Sequence, residues 1–258
     1  MTEVRAKKAL GQHFLTDHNI ARKIAESLSG GTDVLEVGCG TGMLTRYLLQ
    51  RDDIRLFGAE VDPESIQFLN RNFPDFAPRL YHADFLKMPL EKMFGSKLKI
   101  IGNFPYNISS QIFFKILQYR DMIPECVGMV QREVAVRIAE PPGSREYGIL
   151  SVLLQAWYDI EYLFTVNESV FNPPPKVKSA VIRLRRNATT QLDCDELLFV
   201  KVVKTAFSQR RKMIKNPLKS VFGDFGGQTH PFFVQRAETL SVSDFVVLTN
   251  WIALHRTK

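Results

Sequence analysis

From residue 34 onward, short apolar runs alternate with stretches of helical periodicity. That alternation predicts a mostly parallel sheet covered by helices. Val34–Val37 opens the series and stops at glycines, and Leu56–Val61, Arg79–Ala83, Leu98–Gly102 and Cys126–Val130 continue it. Tyr162–Val166 and Val177–Leu184 complete the sheet as later strands. Pro63 follows the second run, where a first helical turn does not need its missing N–H. In the last run Val181, Arg183 and Arg185 alternate with Ile182 and Leu184, the period of a half-exposed strand. Arg186 to Glu196 is polar and without period, which predicts a linker. Beyond it Leu197, Val200, Lys201, Lys204 and the stretch Phe207 to Lys219 predict one or two basic helices, and Leu240 to Leu254 a terminal helix capped by Ser241 or Ser243. The expected fold is therefore α/β, with the sheet domain running to about residue 187 and a small all-helical domain from 188 to 258.

Composition narrows the partners. The 258 residues carry 34 Lys and Arg against 27 Asp and Glu, a net charge of +7, so the surface attracts polyanions. Arg5, Lys7 and Lys8 are followed by polar residues rather than the apolar stretch of a secretory leader, and no segment has the length of a membrane span. Cys39, Cys126 and Cys194 are odd in number and far apart, as expected in a reducing cytoplasm and not in a disulfide framework or zinc site. His13, His18, His82, His230 and His255 show no ligand spacing, so no metal is expected.

Three motifs carry chemistry. Glu36-Val37-Gly38-Cys39-Gly40-Thr41-Gly42 follows the first strand, and its glycines permit a tight turn and close approach of a nucleotide-like ligand. Its third glycine comes two residues after the second, not the three of the dinucleotide fingerprint. Glu60 and Asp84 end the second and third strands, where carboxylates can accept hydrogen bonds from ribose hydroxyls and from an adenine amine. Asn103-Phe104-Pro105-Tyr106 follows the fourth strand. An exocyclic amine shares its lone pair with the ring and becomes nucleophilic only when acceptors draw its protons out of plane. The Asn103 side-chain oxygen and the Phe104 carbonyl, freed of competing bonds by Pro105, are suited to that task, and Tyr106 to stacking on the base.

With these motifs, the chain resembles the bacterial small-subunit ribosomal RNA adenine dimethyltransferases over nearly its whole length. Further marks of the resemblance are Gly11-Gln12-His13-Phe14-Leu15, Phe171-Asn172-Pro173-Pro174-Pro175-Lys176-Val177 with Ser179, and Phe207-Ser208-Gln209-Arg210-Arg211-Lys212. Cys39 and Thr41 stand where that family has proline and a varied residue, and Phe104 where it has leucine or isoleucine. The resemblance implies a Rossmann-like class I methyltransferase sheet. It also implies S-adenosyl-L-methionine as cofactor, bound by His13, Leu15, Gly38, Gly40, Glu60, Asp84 and Asn103. Catalysis would fall to Asn103 and Tyr106, with Phe171 as the second ring about an extruded base.

The implied substrate is a pair of adjacent adenines in the 3′-terminal hairpin loop of 16S rRNA, dimethylated during ribosome biogenesis. The partner would be a small-subunit precursor and its rRNA, met by a cytoplasmic monomer. Arg210, Arg211 and Lys212 would touch RNA, within a run that has no acidic residue between Lys201 and Lys219. Two rivals share these features: a large-subunit methyltransferase of the macrolide-resistance type, and an assembly or transcription factor that keeps the fold for RNA binding without catalysis.

Overall fold

The computed structural model describes residues 4–31 and 33–256. In chain order the elements are β1 (Phe14–Leu15), α1 (His18–Glu26), β2 (Asp33–Val37), α2 (Met43–Leu48), β3 (Arg55–Glu60), α3 (Pro63–Asn72), β4 (Leu80–His82) and α4 (Leu90–Phe94). There follow β5 (Leu98–Asn103), α5 (Ser109–Gln118), β6 (Glu125–Gln131), α6 (Arg132–Ala139), α7 (Ile149–Gln155), β7 (Tyr158–Val166), β8 (Phe171–Asn172) and β9 (Ser179–Arg186). The chain ends with α8 (Glu196–Phe207), α9 (Lys215–Phe222) and α10 (Val242–His255). All seven apolar runs of the sequence are strands of one seven-stranded sheet, in the order β4-β3-β2-β5-β6-β9-β7. β4 through β6 are parallel neighbours, and β9 runs antiparallel to β6. The strand order reverses at β2, which places a crevice outside the carboxyl ends of β2, β3 and β5.

Strands buried on both faces read as near-continuous apolar runs, and β5 shows this with Leu98, Ile100 and Ile101 fully buried around Lys99, which is itself buried and paired with Glu125 at 3.3 Å. The helix starts follow from local chemistry. Asp17 caps α1 by accepting from Asn19 N and Ile20 N at 2.8 and 3.0 Å, and Asp62 caps α3 ahead of Pro63. Two local expectations shift. In β9 both Val181 and Ile182 are fully buried, because the strand lies between β6 and β7 with core on both faces, and alternation begins only at Arg183. β4 stops at His82, so Asp84 is not a strand end but the cap of a short turn, accepting from Leu86 N at 3.0 Å.

The contacts divide the chain into two units. One holds the residues up to Ala135 together with Ile160–Arg186, and the other holds Val136–Asp159 together with Asn187 onward. The cut expected near residue 187 thus has a second counterpart around α7, whose apolar run Ile149–Leu154 gives no sign in sequence of which core it joins. In the helical unit α8 buries Leu198, Phe199, Val202 and Val203, and the Trp157 ring meets Phe199 edge-on at 6.1 Å. Ser241 caps α10 through a reciprocal pair with Asp244. The basic stretch forms α8 and α9, separated by a turn at residues 208–214.

The bulky Phe104 is accommodated by absent side chains. It is 1% exposed and lies edge-on to Phe113 at 5.9 Å, over strand positions that are both glycine. A Cβ on Gly128 would sit 2.5 Å from its ring. Gly128→Ala should therefore cost the ~1–3 kcal/mol of overpacking, and Phe104→Leu in the same chain should return part of it, as measured by urea unfolding of the single and double variants.

Beneath the glycine turn Glu36, 1% exposed, accepts a hydrogen bond from Thr45 Oγ1 at 2.6 Å. Burial pushes its carboxyl from 4.5 up to about 8, with the nearby Glu60 adding to the shift. Between those values the folded chain holds a proton that the unfolded chain has released, so stability falls as pH rises across that window and is level outside it. Glu36→Gln should remove the share of this slope that Glu36 contributes, so that stability falls less steeply as pH rises across the window; urea midpoints of both proteins at its two ends provide the check.

Candidate active site

The glycine turn after β2 forms one wall of a cleft at the carboxyl ends of the strands. Gln12, His13, Phe14, Val37, Gly38, Gly40, Glu60, Asp84, Asn103 and Pro105 line it. Gly40 has φ +55°, and a Cβ there would lie 3.0 Å from the Phe14 ring, so any side chain would be strained and would press on the cleft wall. Of the seven residues expected at the cofactor, His13, Gly38, Gly40, Glu60, Asp84 and Asn103 meet here. Leu15 does not: it is 4% exposed, within the hydrophobic core.

Glu60 ends β3 and its carboxylate is already engaged. Oε1 accepts from Val61 N and Asp62 N at 2.8 and 2.9 Å, and Oε2 accepts from Gly40 N at 2.8 Å. Burial raises its pKa while the three amides hold it down. A carboxylate has about four acceptor positions, so Oε2 keeps room for one further donor. Asp84 gives one oxygen to Leu86 N, and its other lies 3.6 Å from Lys87 Nζ.

Asn103 closes β5 and its amide nitrogen donates to the His13 carbonyl at 2.9 Å. That bond satisfies the donor end of an amide whose residue lines the cleft, and leaves Oδ1 as its acceptor end. The following peptide is held by Phe104 N donating to Met129 O at 3.0 Å, and Pro105 brings no N–H to compete for nearby acceptors. Asn103 and Pro105, on either side of Phe104, both line the cleft.

Tyr106 follows, half-buried, with its hydroxyl 2.5 Å from Ser179 Oγ and its pKa raised by burial. Its ring faces that of His13 at 5.3 Å and 31°, and His13 Nδ1 is 2.8 Å from Pro173 O. Phe171, expected as the ring across from Tyr106, is 4% exposed within the core, where β8 pairs it with Leu15. Sequence reasoning did not find this β1–β8 ribbon. Two-residue strands have no period to read, and their register, Phe14 to Asn172 and Leu15 to Phe171, spans most of the chain.

In the helical unit the three basic residues of the tail differ in role. Arg210 donates to the carbonyls of Arg145 and Tyr147, the latter at 2.8 Å, so its guanidinium ties down a loop of that unit. Arg211 and Lys212 are exposed. Among the described residues no cluster of His, Cys, Asp or Glu could hold a metal, and no helix is long and apolar enough to cross a membrane.

Comparison with known proteins agrees with this geometry. The ribosomal RNA adenine dimethylase family matches residues 3–253. The ribosomal RNA small subunit methyltransferase A of Parabacteroides distasonis is 55% identical over 252 residues, covering 96% of this chain and 94% of the relative. The protein of that name from Porphyromonas gingivalis is 53% identical over 255 residues, covering 96% and 98%. Among solved structures, a dimethyladenosine transferase from Plasmodium falciparum superposes with a TM-score of 0.76 at 25% identity, covering 95% of this chain and 100% of that one. The 23S rRNA methyltransferase ErmE reaches 0.65 at 26% identity, covering 93% and 99%. A cleft walled by glycines and carboxylates, with Asn103 among its lining residues, is what such a reaction needs, and with the match over nearly its whole length the chain belongs to the ribosomal RNA adenine dimethylase family, as an S-adenosylmethionine-dependent adenine dimethyltransferase.

Proposed function

We propose that the chain dimethylates two adjacent adenines in the 3′-terminal hairpin loop of small-subunit rRNA as the subunit is assembled. The observation that supports the chemistry is the Asn103 amide, on a residue that lines the cleft, its nitrogen donating to the His13 carbonyl at 2.9 Å, so that the oxygen is the end left to accept. The choice of subunit rests on relatives named for the small subunit at 55% and 53% identity, against 26% for the large-subunit enzyme. Loop adenines also suit the site physically, since a base that is already partly unstacked costs less to extrude than one in a duplex.

The residues fit the cofactor. Gly38 and Gly40 leave the space, Glu60 Oε2 has one acceptor position for a ribose hydroxyl, and Asp84 stands where an adenine amine would be bound. S-adenosylmethionine supplies, when bound, an electrophilic methyl group that needs no further activation. The protein's own contribution is to the acceptor: Asn103 Oδ1 and the Phe104 carbonyl take hydrogen bonds from the target amine and turn its lone pair out of conjugation. Tyr106 offers a ring for the base to stack upon. Phe171 supports this end of the site from within the core, by pairing with Leu15 in the ribbon that carries His13.

The assignment is tested by mass spectrometry of ribosomal RNA from cells with and without the gene, together with methylation of undermethylated small subunits by the purified protein. Dimethyladenosine should vanish from small-subunit RNA without the gene. A preference for naked large-subunit RNA would overturn the assignment.

Asn103→Ala should leave cofactor binding, measured by calorimetry, within about tenfold, and should lower methyl transfer by roughly 100-fold or more, as for loss of a transition-state hydrogen-bond partner. In the tail, charge reversal at Arg211 and Lys212 should weaken binding to the small subunit and make it less sensitive to salt, with cofactor affinity unchanged. Binding isotherms across a salt series read this directly. Reversal at Arg210 should instead lower the melting temperature, because its partners are carbonyls of its own chain.

A further inference from the structure

The ring that receives the base is held at its far end by a residue from another part of the chain. Tyr106 lies in the loop after β5, where neighbouring contacts restrain its backbone: Ile108 N donates to Pro105 O at 3.2 Å, and Ser109 Oγ to Tyr106 O at 3.3 Å. Such contacts do not set the angle of a ring. Two side-chain contacts do. His13 meets one side of the ring at 5.3 Å, and the hydroxyl is 2.5 Å from Ser179 Oγ.

Ser179 makes a rigid anchor. It is fully buried and opens β9, opposite Gln131 in the antiparallel pairing with β6. The preceding residue is pinned as well, Arg132 N donating to Lys178 O at 2.9 Å. The neighbouring segment also supplies Pro173 O, which holds His13 at 2.8 Å, and His13 in turn holds Asn103 at 2.9 Å. One stretch, residues 173–179, thus restrains both the acceptor amide and the stacking ring.

We propose that Ser179 is a positioning residue for methyl transfer, its buried hydroxyl fixing the plane of Tyr106 against which the target adenine stacks; this rests on the reading of Tyr106 as the stacking ring. Ser179 touches neither substrate nor cofactor and acts only through the tyrosine hydroxyl. Without the tether the ring turns about its side-chain bonds, and the adenine amine spends less time aligned with Asn103. Misplacement on this scale costs a reaction that depends on alignment roughly 10- to 100-fold.

The test is a double-mutant cycle in the full-length protein, with undermethylated small subunits as substrate. Ser179→Ala and Tyr106→Phe should each lower kcat by about 10- to 100-fold, with KM for S-adenosylmethionine unchanged and both variants folded at the assay temperature. The double variant should be no slower than either single one, because both remove the same bond. Losses that multiply, or a Ser179→Ala defect that appears as weakened cofactor binding, would overturn the proposal. Tyr106→Ala separates the two readings. If it is inactive while Ser179→Ala turns over normally, Ser179 has no positioning role and Tyr106 keeps its own; if Tyr106→Ala turns over normally, the stacking assignment falls and the proposal with it.

Discussion

The hydrogen bond from the Asn103 amide to the His13 carbonyl, across 90 residues of sequence, is the constraint on which the site depends. An asparagine amide has a donor end and an acceptor end of nearly equal size, and only the acceptor end can activate an amine. Satisfying the donor end with a main-chain carbonyl leaves the oxygen for the substrate. The carbonyl must itself be fixed, and this explains the ribbon of β1 and β8: Phe14 and Leu15 pair with Asn172 and Phe171, and His13 is held by Pro173 O. The short strand pair lies directly beside the carbonyl that Asn103 meets.

The other side of the cleft is built at a cost in stability. Glu36 and Glu60 are 1% and 4% exposed beneath and beside the glycine turn, and burial raises the pKa of both. Three backbone amides partly offset the cost for Glu60; Glu36 has the Thr45 hydroxyl. The bond from Gly40 N ties the turn after β2 to the end of β3. The Glu60 carboxylate, which lines the cleft, thereby also holds the glycine turn.

Basic residues near one another in sequence need not share a task. Arg210 and Arg211 are adjacent, yet the first is engaged by carbonyls of its own unit and the second is exposed. A run of positive charge marks a segment as compatible with RNA, and only side-chain contacts separate the residues that can reach phosphate from those that hold the surface together.

Much of the protein was legible in the residues alone. Apolar runs ended by glycine or proline identify strands because a strand buried on both faces is mostly apolar, and the charged residues within them are partnered, Glu36 by the Thr45 hydroxyl and Lys99 by Glu125. Glycines in a turn, carboxylates after strands and an asparagine before aromatic and proline carry their chemistry in residue type, so the cleft walls at Gly38, Gly40, Glu60, Asp84 and Asn103 follow from the sequence. What the tertiary structure decided depends on contacts between distant segments. Leu15 and Phe171 place their side chains in the core, side by side where β1 and β8 pair with one another. Residues 136–159 join the helical unit, since an apolar helix face does not specify which core it fills. Ser179 reaches Tyr106 across 73 residues. A local pattern records which face of an element is buried, whereas the identity of its neighbour is set only when strand register and chain crossing bring separate segments together.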